Sequence, residues 1–193
     1  IKPIYSQLEP FENRMAGALS GGMKQKLALC CALIHKPKVL FLDEPTTGVD
    51  AVSRKEFWQM LHQLKKEEIT ILVSTPYMDE AEQCDRIGLI QEGEILSIDT
   101  PEQITSRFDR NLWAVKSQDK YSLIQTLRDY EFAESVQPFG EYVHYTDERP
   151  DVTAGVIEEY LDSRQVADLK IKKIQPDIED TFMRLMNQEV GHE

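Results

Sequence analysis

Two short apolar runs stand out from a chain in which apolar and polar positions otherwise mix. The first is Val39 to Leu42, and the second is Ile69 to Ser74. An unbroken run of this kind predicts a strand covered on both faces, as in a parallel sheet. Asp43 and Glu44 directly follow the first run. Because the ligands of parallel sheets gather at the carboxyl ends of the strands, we expect a functional site beside these carboxylates.

Helical periodicity begins directly after Gly21 and Gly22. The predicted apolar face of this helix consists of Met23, Leu27, Cys30 or Cys31, and Ile34. A helix N-terminus presents unpaired N–H groups and a positive dipole end, so it favours an anion. Two glycines without side chains would let a phosphate approach the backbone closely.

Other helices flank the two strands. Ser53 and Glu56 predict a capping box at the start of a helix that runs to about Lys66. We predict that its apolar face contains Phe57, Leu61 and Leu64. Two shorter helices are predicted, one around Tyr5 to Leu8, and one from Tyr77 to Cys84 with Met78, Ala81 and Cys84 on one face.

A hairpin and one more helix follow. Ile87 to Ile90 and Glu94 to Ile98 predict two strands joined around Gly93. Thr100 and Pro101 predict the start of a helix, with a cap followed by proline in the first turn.

The composition changes near Asp109, which predicts a domain boundary between residues 108 and 109. The strands predicted after it are Leu112 to Lys116, Phe132 to Gln137, Tyr142 to Thr146 (hinged at Gly140) and Leu169 to Ile174. The helices are Tyr121 to Tyr130, Asp151 (as the cap) to Ser163, and Asp177 to Met186. This βαββαβ order followed by a helix predicts a small ferredoxin-like α+β domain.

Composition narrows the possible functions. The 193 residues include 34 acidic and 22 basic side chains, for a net charge of -12, which disfavours nucleic acid as a partner. No apolar run approaches the roughly 18 residues that span a bilayer, and no signal peptide is recognised. Three cysteines predict reduced thiols, two of them in a buried helix, and the four histidines lack metal-ligand spacing.

Three motifs in order resemble the ATP-binding cassette (ABC) family of ATPases. The first, similar to the family signature, is Leu19-Ser20-Gly21-Gly22-Met23-Lys24-Gln25. The second, similar to the Walker B strand and catalytic glutamate, is Leu40-Phe41-Leu42-Asp43-Glu44-Pro45. The third, similar to the D-loop, is Gly48-Val49-Asp50. The resemblance implies an α/β fold: residues 1–108 would be the C-terminal half of a P-loop NTPase parallel-sheet domain, and residues 109–193 the small α+β domain.

The resemblance also implies roles for the two acids. Asp43 would hold Mg²⁺, often through water, and Glu44 would orient or deprotonate the water that attacks ATP. The alternative is a pair of solvated acids that begin a turn before Pro45.

The signature and the D-loop would act across a dimer. Ser20, Gly21 and Gly22 would contact the γ-phosphate of ATP held by a second cassette, and Gln25 would support this turn. Asp50 would cross the same interface and help to place the opposite site. The alternative, to which the sequence gives equal weight, is that Asp50 only caps the next helix.

Two departures from the family pattern matter. Pro76 stands where the family has its switch histidine, and proline offers neither a side-chain donor nor an N–H group. The dipeptide Gly-Lys of the phosphate-binding Walker A loop occurs nowhere in this sequence. We therefore expect the N-terminal half of the cassette to precede Ile1, and the chain alone neither to bind ATP tightly nor to hydrolyse it.

The implied function is that of the ATPase subunit of an exporter-like ABC transporter, using ATP and Mg²⁺. Its partners would be a second cassette and a transmembrane permease, at the cytoplasmic face of the cell membrane. Two alternatives stay open: a soluble ABC protein outside transport, or a nucleotide-gated module with weak turnover because of Pro76. The C-terminal domain, whose Ile178 to Phe182 segment resembles the ending of some exporter ATPases, would serve packing, dimer support or regulation, or be an inert appendage.

Overall fold

A computed structural model describes residues 2–190. The ends of the two predicted domains, Ile1 and residues 191–193, lie outside the described residues. Internal contacts divide the chain into two compact units, one up to Glu80 and one from Ala81 onward. The domain boundary expected between residues 108 and 109 remains a prediction. Within residues 2–190 no helix has the length and apolar content that crossing a bilayer requires.

The first unit contains four helices and two strands. In chain order these are α1 (Lys2–Tyr5), α2 (Gly21–Leu33), β1 (Val39–Asp43), α3 (Ala51–Lys66), β2 (Thr70–Ser74) and α4 (Met78–Ala81), with 3₁₀ turns at Glu9–Phe11 and Ala16–Ala18. The strands β1 and β2 pair in parallel, with Asp43 opposite Ser74. The predicted parallel strands are therefore confirmed, and their carboxyl ends meet.

The expectation that both faces of these strands are covered is wrong for the described chain. Leu40 is buried at 5% exposure, but Phe41 is 72% exposed and Leu72 is 60% exposed. The helices of the first unit pack on the Leu40 side. The opposite face of β1 and β2 presents its apolar side chains to solvent.

The buried face of α2 also differs from the prediction. Its buried residues are Gly22, Lys26, Leu29, Cys30 and Leu33, whereas Ile34 is 62% exposed. A charged residue lies on the buried face because the Lys26 ammonium is paired: it bonds Glu56 Oε2 at 2.6 Å and Gln7 Oε1 at 2.8 Å. Neither Cys30, which is buried, nor Cys31, which is exposed, forms a disulfide. Burial raises the pKa of the Cys30 thiol.

The predicted N-cap of α3 is wrong by three residues. Asp50, not Ser53, is the N-cap, because its carboxylate accepts hydrogen bonds from the backbone N–H of Val52 and Ser53. Glu56 therefore does not belong to a capping box, and its carboxylate pairs with Lys26 instead. The predicted apolar face is confirmed: Phe57, Leu61 and Leu64 are buried, with Trp58 and Met60 beside them.

Two short helices are displaced. The helix expected at Tyr5 to Leu8 ends at Tyr5, and a 3₁₀ turn follows at Glu9–Phe11. Pro3 and Pro10 lie in the first turns of these segments, where a missing N–H costs nothing. The helix expected from Tyr77 to Cys84 is confined to α4, and Glu80 and Ala81 are its buried residues.

The second unit begins with a hairpin and ends with a helix. Its elements are β3 (Ile87–Gln91), β4 (Glu94–Asp99), α5 (Pro101–Thr105), β5 (Leu112–Lys116), α6 (Lys120–Arg128), β6 (Ala133–Phe139), β7 (Tyr142–Asp147), α7 (Ala154–Ser163), β8 (Lys170–Ile174) and α8 (Ile178–Val190). The β3–β4 hairpin is confirmed. So is the Thr100 cap, whose hydroxyl accepts from Gln103 N at 3.3 Å.

The four strands β5 to β8 form an antiparallel sheet in the order β6-β7-β5-β8. This is the arrangement of a ferredoxin-like unit, so the predicted fold is confirmed. One face carries a core that includes Val143 and Tyr145 of β7, packed with α6 and α7. The Tyr145 hydroxyl donates to Asp147 at 2.6 Å. Burial is the main cause that raises the pKa of Tyr145, and this hydrogen bond raises it further. The cap predicted at Asp151 is wrong: Thr153 precedes α7, with no side-chain cap bond among the described residues.

The last helix, α8, begins where the sequence predicted and runs past Met186 to Val190. A reciprocal capping pair fixes its start: Asp177 Oδ1 accepts from Asp180 N at 2.8 Å, and Asp180 Oδ2 accepts from Asp177 N at 3.1 Å. Burial, together with the negative charge of Asp180, raises the pKa of Asp177 to about 6.

Replacing Asp177 by Asn should change how stability depends on pH. The folded state binds the Asp177 proton more tightly than the unfolded state, so between about pH 4 and 6 the free energy of unfolding falls as the pH rises. Asn keeps a side-chain oxygen that accepts the capping hydrogen bond, but it does not titrate. The fall in unfolding free energy with rising pH is therefore absent from D177N. The stability advantage of D177N over the parent should therefore grow from pH 4.5 to pH 7. Urea unfolding followed by Trp113 fluorescence in a Trp58→Phe background measures it.

The control is Asp162→Asn, which changes an exposed aspartate of the same unit. Its stability difference from the parent should be nearly constant over the same pH range. Parallel pH profiles for D177N and the parent would contradict the assignment.

Candidate functional site

The two acids predicted to be functional lie at the carboxyl end of β1, and both are exposed. A single hydroxyl joins them. Ser74, at the end of β2, donates through Oγ to Asp43 Oδ1, and the same Oγ accepts from Glu44 N at 3.1 Å. Glu44 N also donates to the Ser74 carbonyl at 3.0 Å. The parallel register therefore fixes the backbone beneath both carboxylates.

Glu44 adopts an unusual backbone conformation for a residue with a side chain. Its φ is 43°, in the left-handed region, which costs on the order of 1 kcal/mol and is found at functional sites. The carboxylate is held locally, because Thr47 Oγ1 donates to Glu44 Oε2 at 3.1 Å. The Glu44 carboxylate is therefore both oriented and open to solvent.

The turn before α2 is also open to solvent. Ser20 is exposed and caps the helix, with its Oγ accepting from Met23 N at 3.3 Å. The serine hydroxyl still has a proton to donate, and first-turn amides such as those of Gly21 and Gly22 have no partner within the helix. Gln25, half-buried, lies one turn further on. This end of α2 can donate several hydrogen bonds to one anion.

Close packing explains the two glycines within this chain. A Cβ on Gly22 would lie 2.6 Å from Ser53 Cβ and Oγ, and a Cβ on Gly21 would lie 3.3 Å from the Gly48 carbonyl. The turn that begins α2 therefore rests directly on the Gly48–Ser53 segment. Gly22 is buried, and room for α3 is one requirement at this position.

Asp50 caps α3, one of the two roles that the sequence left open. Its Oδ1 accepts from Val52 N at 3.1 Å and from Ser53 N at 3.0 Å. These hydrogen bonds lower the pKa of Asp50, and the bond from Ser53 N has the largest effect. The role across a dimer interface stays a prediction.

Pro76 is exposed in the loop that joins β2 to α4. The loop is held on both sides of the proline, because Tyr77 N donates to Thr75 Oγ1 at 3.2 Å. This bond closes the turn around Pro76.

A buried carboxylate that the sequence analysis did not single out organises this region. Glu80 is 1% exposed and Thr46 is 1% exposed. Glu80 Oε1 accepts from Thr46 Oγ1 at 2.7 Å and from Arg54 Nε at 3.0 Å, and Oε2 accepts from Thr75 Oγ1 at 2.7 Å. One side chain thus joins the loop after β1, the first turn of α3 and the loop before Pro76.

Arg54 completes the cluster on the solvent side. Its guanidinium lies 4.1 Å from the centre of the Tyr77 ring and bonds the exposed Asp79 at 3.2 Å. The position of Glu80 on a helix could have been found from the sequence, since it lies within the predicted helix Tyr77 to Cys84. Its partners could not, because Thr46 and Arg54 lie 34 and 26 residues away.

Asp43 and Glu44 could supply only part of the coordination of a Mg²⁺ ion. Among the described residues no group of three or more His, Cys, Asp or Glu side chains could hold a metal. Mg²⁺ commonly takes one or two carboxylates and completes its coordination with water and phosphate oxygens. The exposed Asp43 can supply one such carboxylate.

Comparisons with known proteins agree with these motifs. The ABC transporter family model matches residues 5–47. The probable multidrug ABC transporter ATP-binding protein YbhF of Escherichia coli strain K12 is 55% identical over 101 residues, 52% of this chain and 18% of that protein. The Nod factor export ATP-binding protein I of Bradyrhizobium diazoefficiens is 33% identical over 188 residues, 96% of this chain and 59% of that protein.

Among solved structures, cbiO1 from Clostridium perfringens, part of the ABC transporter complex cbiONQ, is 29% identical with a TM-score of 0.48. The match covers 55% of this chain and 45% of that chain. The chain spans 18% and 59% of the lengths of the two relatives above.

Gly22→Ala should destabilise the first unit by about 1–3 kcal/mol, because the new methyl group has no room beside Ser53. Urea unfolding followed by Trp58 fluorescence in a Trp113→Phe background measures this. Gly17→Ala is the control, since nothing lies within 4 Å of its Cβ position. The double variant G22A/S53G should regain part of the loss relative to S53G alone. Equal effects of G22A and G17A would refute the packing argument.

Glu80→Ala should cost about 3 kcal/mol of unfolding free energy, because it leaves the buried Thr46 hydroxyl, the half-buried Thr75 hydroxyl and Arg54 without their shared acceptor. Asp79→Ala is the matched control: it removes the neighbouring acid, whose side chain is 74% exposed, and should cost less than about 1 kcal/mol. The same Trp58 assay applies. A loss for E80A no larger than that for D79A would show that Glu80 does not organise these loops.

Proposed function

The chain belongs to the family of ABC transporter ATP-binding proteins, and we propose that it supplies the signature turn and the hydrolytic acids of an exporter's ATPase subunit. The observation that carries this proposal is the Ser74 hydroxyl, which joins Asp43 and Glu44 at the carboxyl end of β1. The family likeness supports an ATPase in general. The roles of single residues in this chain are our proposal.

Glu44 is the general base in this proposal. Its carboxylate is exposed, and Thr47 holds it from one side. A positioned base of this kind contributes about 10²-fold to 10⁴-fold to a reaction rate. Glu44 would accept the proton of the water that attacks the γ-phosphate.

Asp43 is the residue that would hold Mg²⁺. Its Oδ1 already accepts the Ser74 hydroxyl, which orients the exposed carboxylate. The bound ion would neutralise charge on the phosphate oxygens. Ser74 thus serves as a positioning residue for both acids.

The signature turn would act on a second cassette. Ser20, Gly21 and Gly22 offer a hydroxyl and helix N-terminal amides, and the turn is exposed at Ser20 and Gly21. These groups suit the γ-phosphate of ATP held by the partner, with Gln25 behind them. In this proposal Asp50 reaches the same interface; it follows Gly48, whose carbonyl lies 3.3 Å from the Cβ position of Gly21.

The open face of β1 and β2 supports the view that other strands complete the cassette. Phe41 and Leu72 expose apolar side chains on this face, and the chain spans 59% of the Nod factor relative. We propose that the phosphate-binding loop belongs to those strands. The 193-residue chain alone would then bind ATP weakly.

The proposed direction of transport is export. The names of the two relatives refer to multidrug transport and to Nod factor export. A subunit of this kind would work with a transmembrane permease at the inner face of the membrane. The substrate of this protein is not specified by its residues.

Pro76 favours a second candidate function, a nucleotide-gated cassette with slow turnover. The loop around Pro76 is held by Thr75 and Glu80 without any imidazole. Such a cassette would bind ATP and dimerise, but it would depend on Glu44 and the partner's groups for hydrolysis.

ATP turnover by the complete protein tests both functions. Glu44→Gln should lower kcat by about 10²-fold or more, whereas Glu67→Gln, an exposed control on the same unit, should leave it unchanged. Pro76→His should raise kcat if the missing imidazole limits hydrolysis.

The outcomes separate the candidates. Unchanged turnover in E44Q would refute the role of Glu44. Turnover that does not rise in P76H would refute the slow-site candidate. ATP-dependent dimerisation without phosphate release by the parent would favour the gated module over the ATPase.

A further inference from the structure

Strand β8 forms one open edge of the four-stranded sheet. Among the described residues it pairs only with β5, in unbroken register from Lys170 to Ile174, and no hydrogen bond reaches its outer backbone groups. The other edge, β6, contains Pro138, which has no N–H, and a register shift between Ala133 and Ser135. The edge of β8 lacks both features, so its outer N–H and C=O groups can pair with another extended chain.

The side chains of β8 alternate between the two faces of the sheet. Its sequence is Lys170-Ile171-Lys172-Lys173-Ile174. The three lysines are exposed and the two isoleucines are half-buried, with Ile171 packed against the core that the sheet shares with α6 and α7. A strand added beside β8 would therefore have three lysines and two isoleucines as its cross-strand neighbours.

Positive charge at this edge exceeds the carboxylates that pair with it. Lys170 lies directly opposite Lys116 of β5, and like charges in that position destabilise a sheet. Glu141 bonds Lys116, with its Oε2 2.7 Å from Lys116 Nζ. No ion pair within residues 2–190 includes Lys170 or Lys172. Carboxylates from another chain would offset this repulsion, although the protein as a whole carries a charge of -12.

The lysines also restrict which chain can pair with β8. A second copy of β8 would bring the lysines of the two copies together, and such repulsion is one of the ways in which proteins protect sheet edges from self-association. A strand with carboxylates at these positions meets no such repulsion, and each pair of opposite charges stabilises the ladder. The edge therefore discriminates against its own copies and favours an acidic segment.

We propose that β8 binds an extended acidic segment of a partner protein, which adds to the sheet as one more strand. In antiparallel pairing, the commoner arrangement, the segment places carboxylates opposite the three lysines and apolar side chains opposite Ile171 and Ile174. From its N-terminus the segment therefore reads apolar, acidic, acidic, apolar, acidic. The site belongs wholly to the second unit and is independent of the nucleotide chemistry proposed above.

Fluorescence anisotropy with the full 193-residue chain tests the proposal with three labelled peptides. The probe contains Val-Glu-Glu-Val-Glu between two serines. The second peptide is the same with N-methyl groups on the backbone nitrogens of these residues, and the third contains Glu-Glu-Glu-Val-Val, which has the same composition without the pattern. We expect saturable binding of the probe, slower hydrogen exchange of the β8 amides in its presence, and at least about tenfold weaker binding of the other two peptides.

A charge exchange locates the binding site. Lys170→Glu with Lys172→Glu should weaken binding of the probe at least about tenfold, and this variant should instead bind Val-Glu-Lys-Val-Lys, whose lysines replace the two opposing acids. The control is Lys55→Glu with Lys66→Glu, which changes two exposed lysines of the first unit and should leave the probe affinity within about twofold of the parent. If K170E/K172E does not fold, the N-methylated and rearranged peptides decide on the parent chain.

Three results would overturn the proposal. The absence of saturable probe binding would mean that the lysines serve only to protect the edge. Equal binding of the N-methylated or the rearranged peptide would mean that the lysines attract negative charge without strand pairing. Unchanged probe affinity in a folded K170E/K172E variant would place the peptide elsewhere on the chain.

Discussion

A carboxylate taken out of water must be fully hydrogen-bonded, and in the first unit Glu80 meets this requirement by drawing three segments to one point. Thr46, Arg54 and Thr75 each donate to it. The loop after β1 and the loop after β2 therefore cannot move independently. The exposed acids at the end of β1 owe their fixed backbone to this buried anchor as much as to the strand pairing.

Local patterns in the sequence were sufficient for most elements. The strands of the ferredoxin-like unit and the cap at Thr100 follow from alternation and turn chemistry, which act over a few residues. The errors arose where a specific side-chain contact, and not the local pattern, determines the structure. The buried face of α2 includes Lys26 because Glu56 neutralises it, and α3 starts at Asp50 because that carboxylate reaches two amides.

The candidate site divides in the same way. The motifs point to Ser20, Asp43, Glu44 and Asp50, and each lies exposed at or beside the end of a helix or strand. The sequence did not reveal Ser74 as the link between the acids, although parallel pairing made it the natural neighbour. The role of Glu80 was missed because it depends on contacts between residues far apart in the chain.

The bare side of β1 and β2 bears on how this polypeptide behaves in solution. Among the described residues β1 and β2 pair only with each other, so their outer backbone groups can hydrogen-bond another chain. The exposed side chains of Phe41 and Leu72 add apolar contact area on the same face. Handled by itself, the polypeptide will tend to self-associate through that side and attract chaperones. The strong negative charge of the whole molecule opposes such clustering only at low ionic strength.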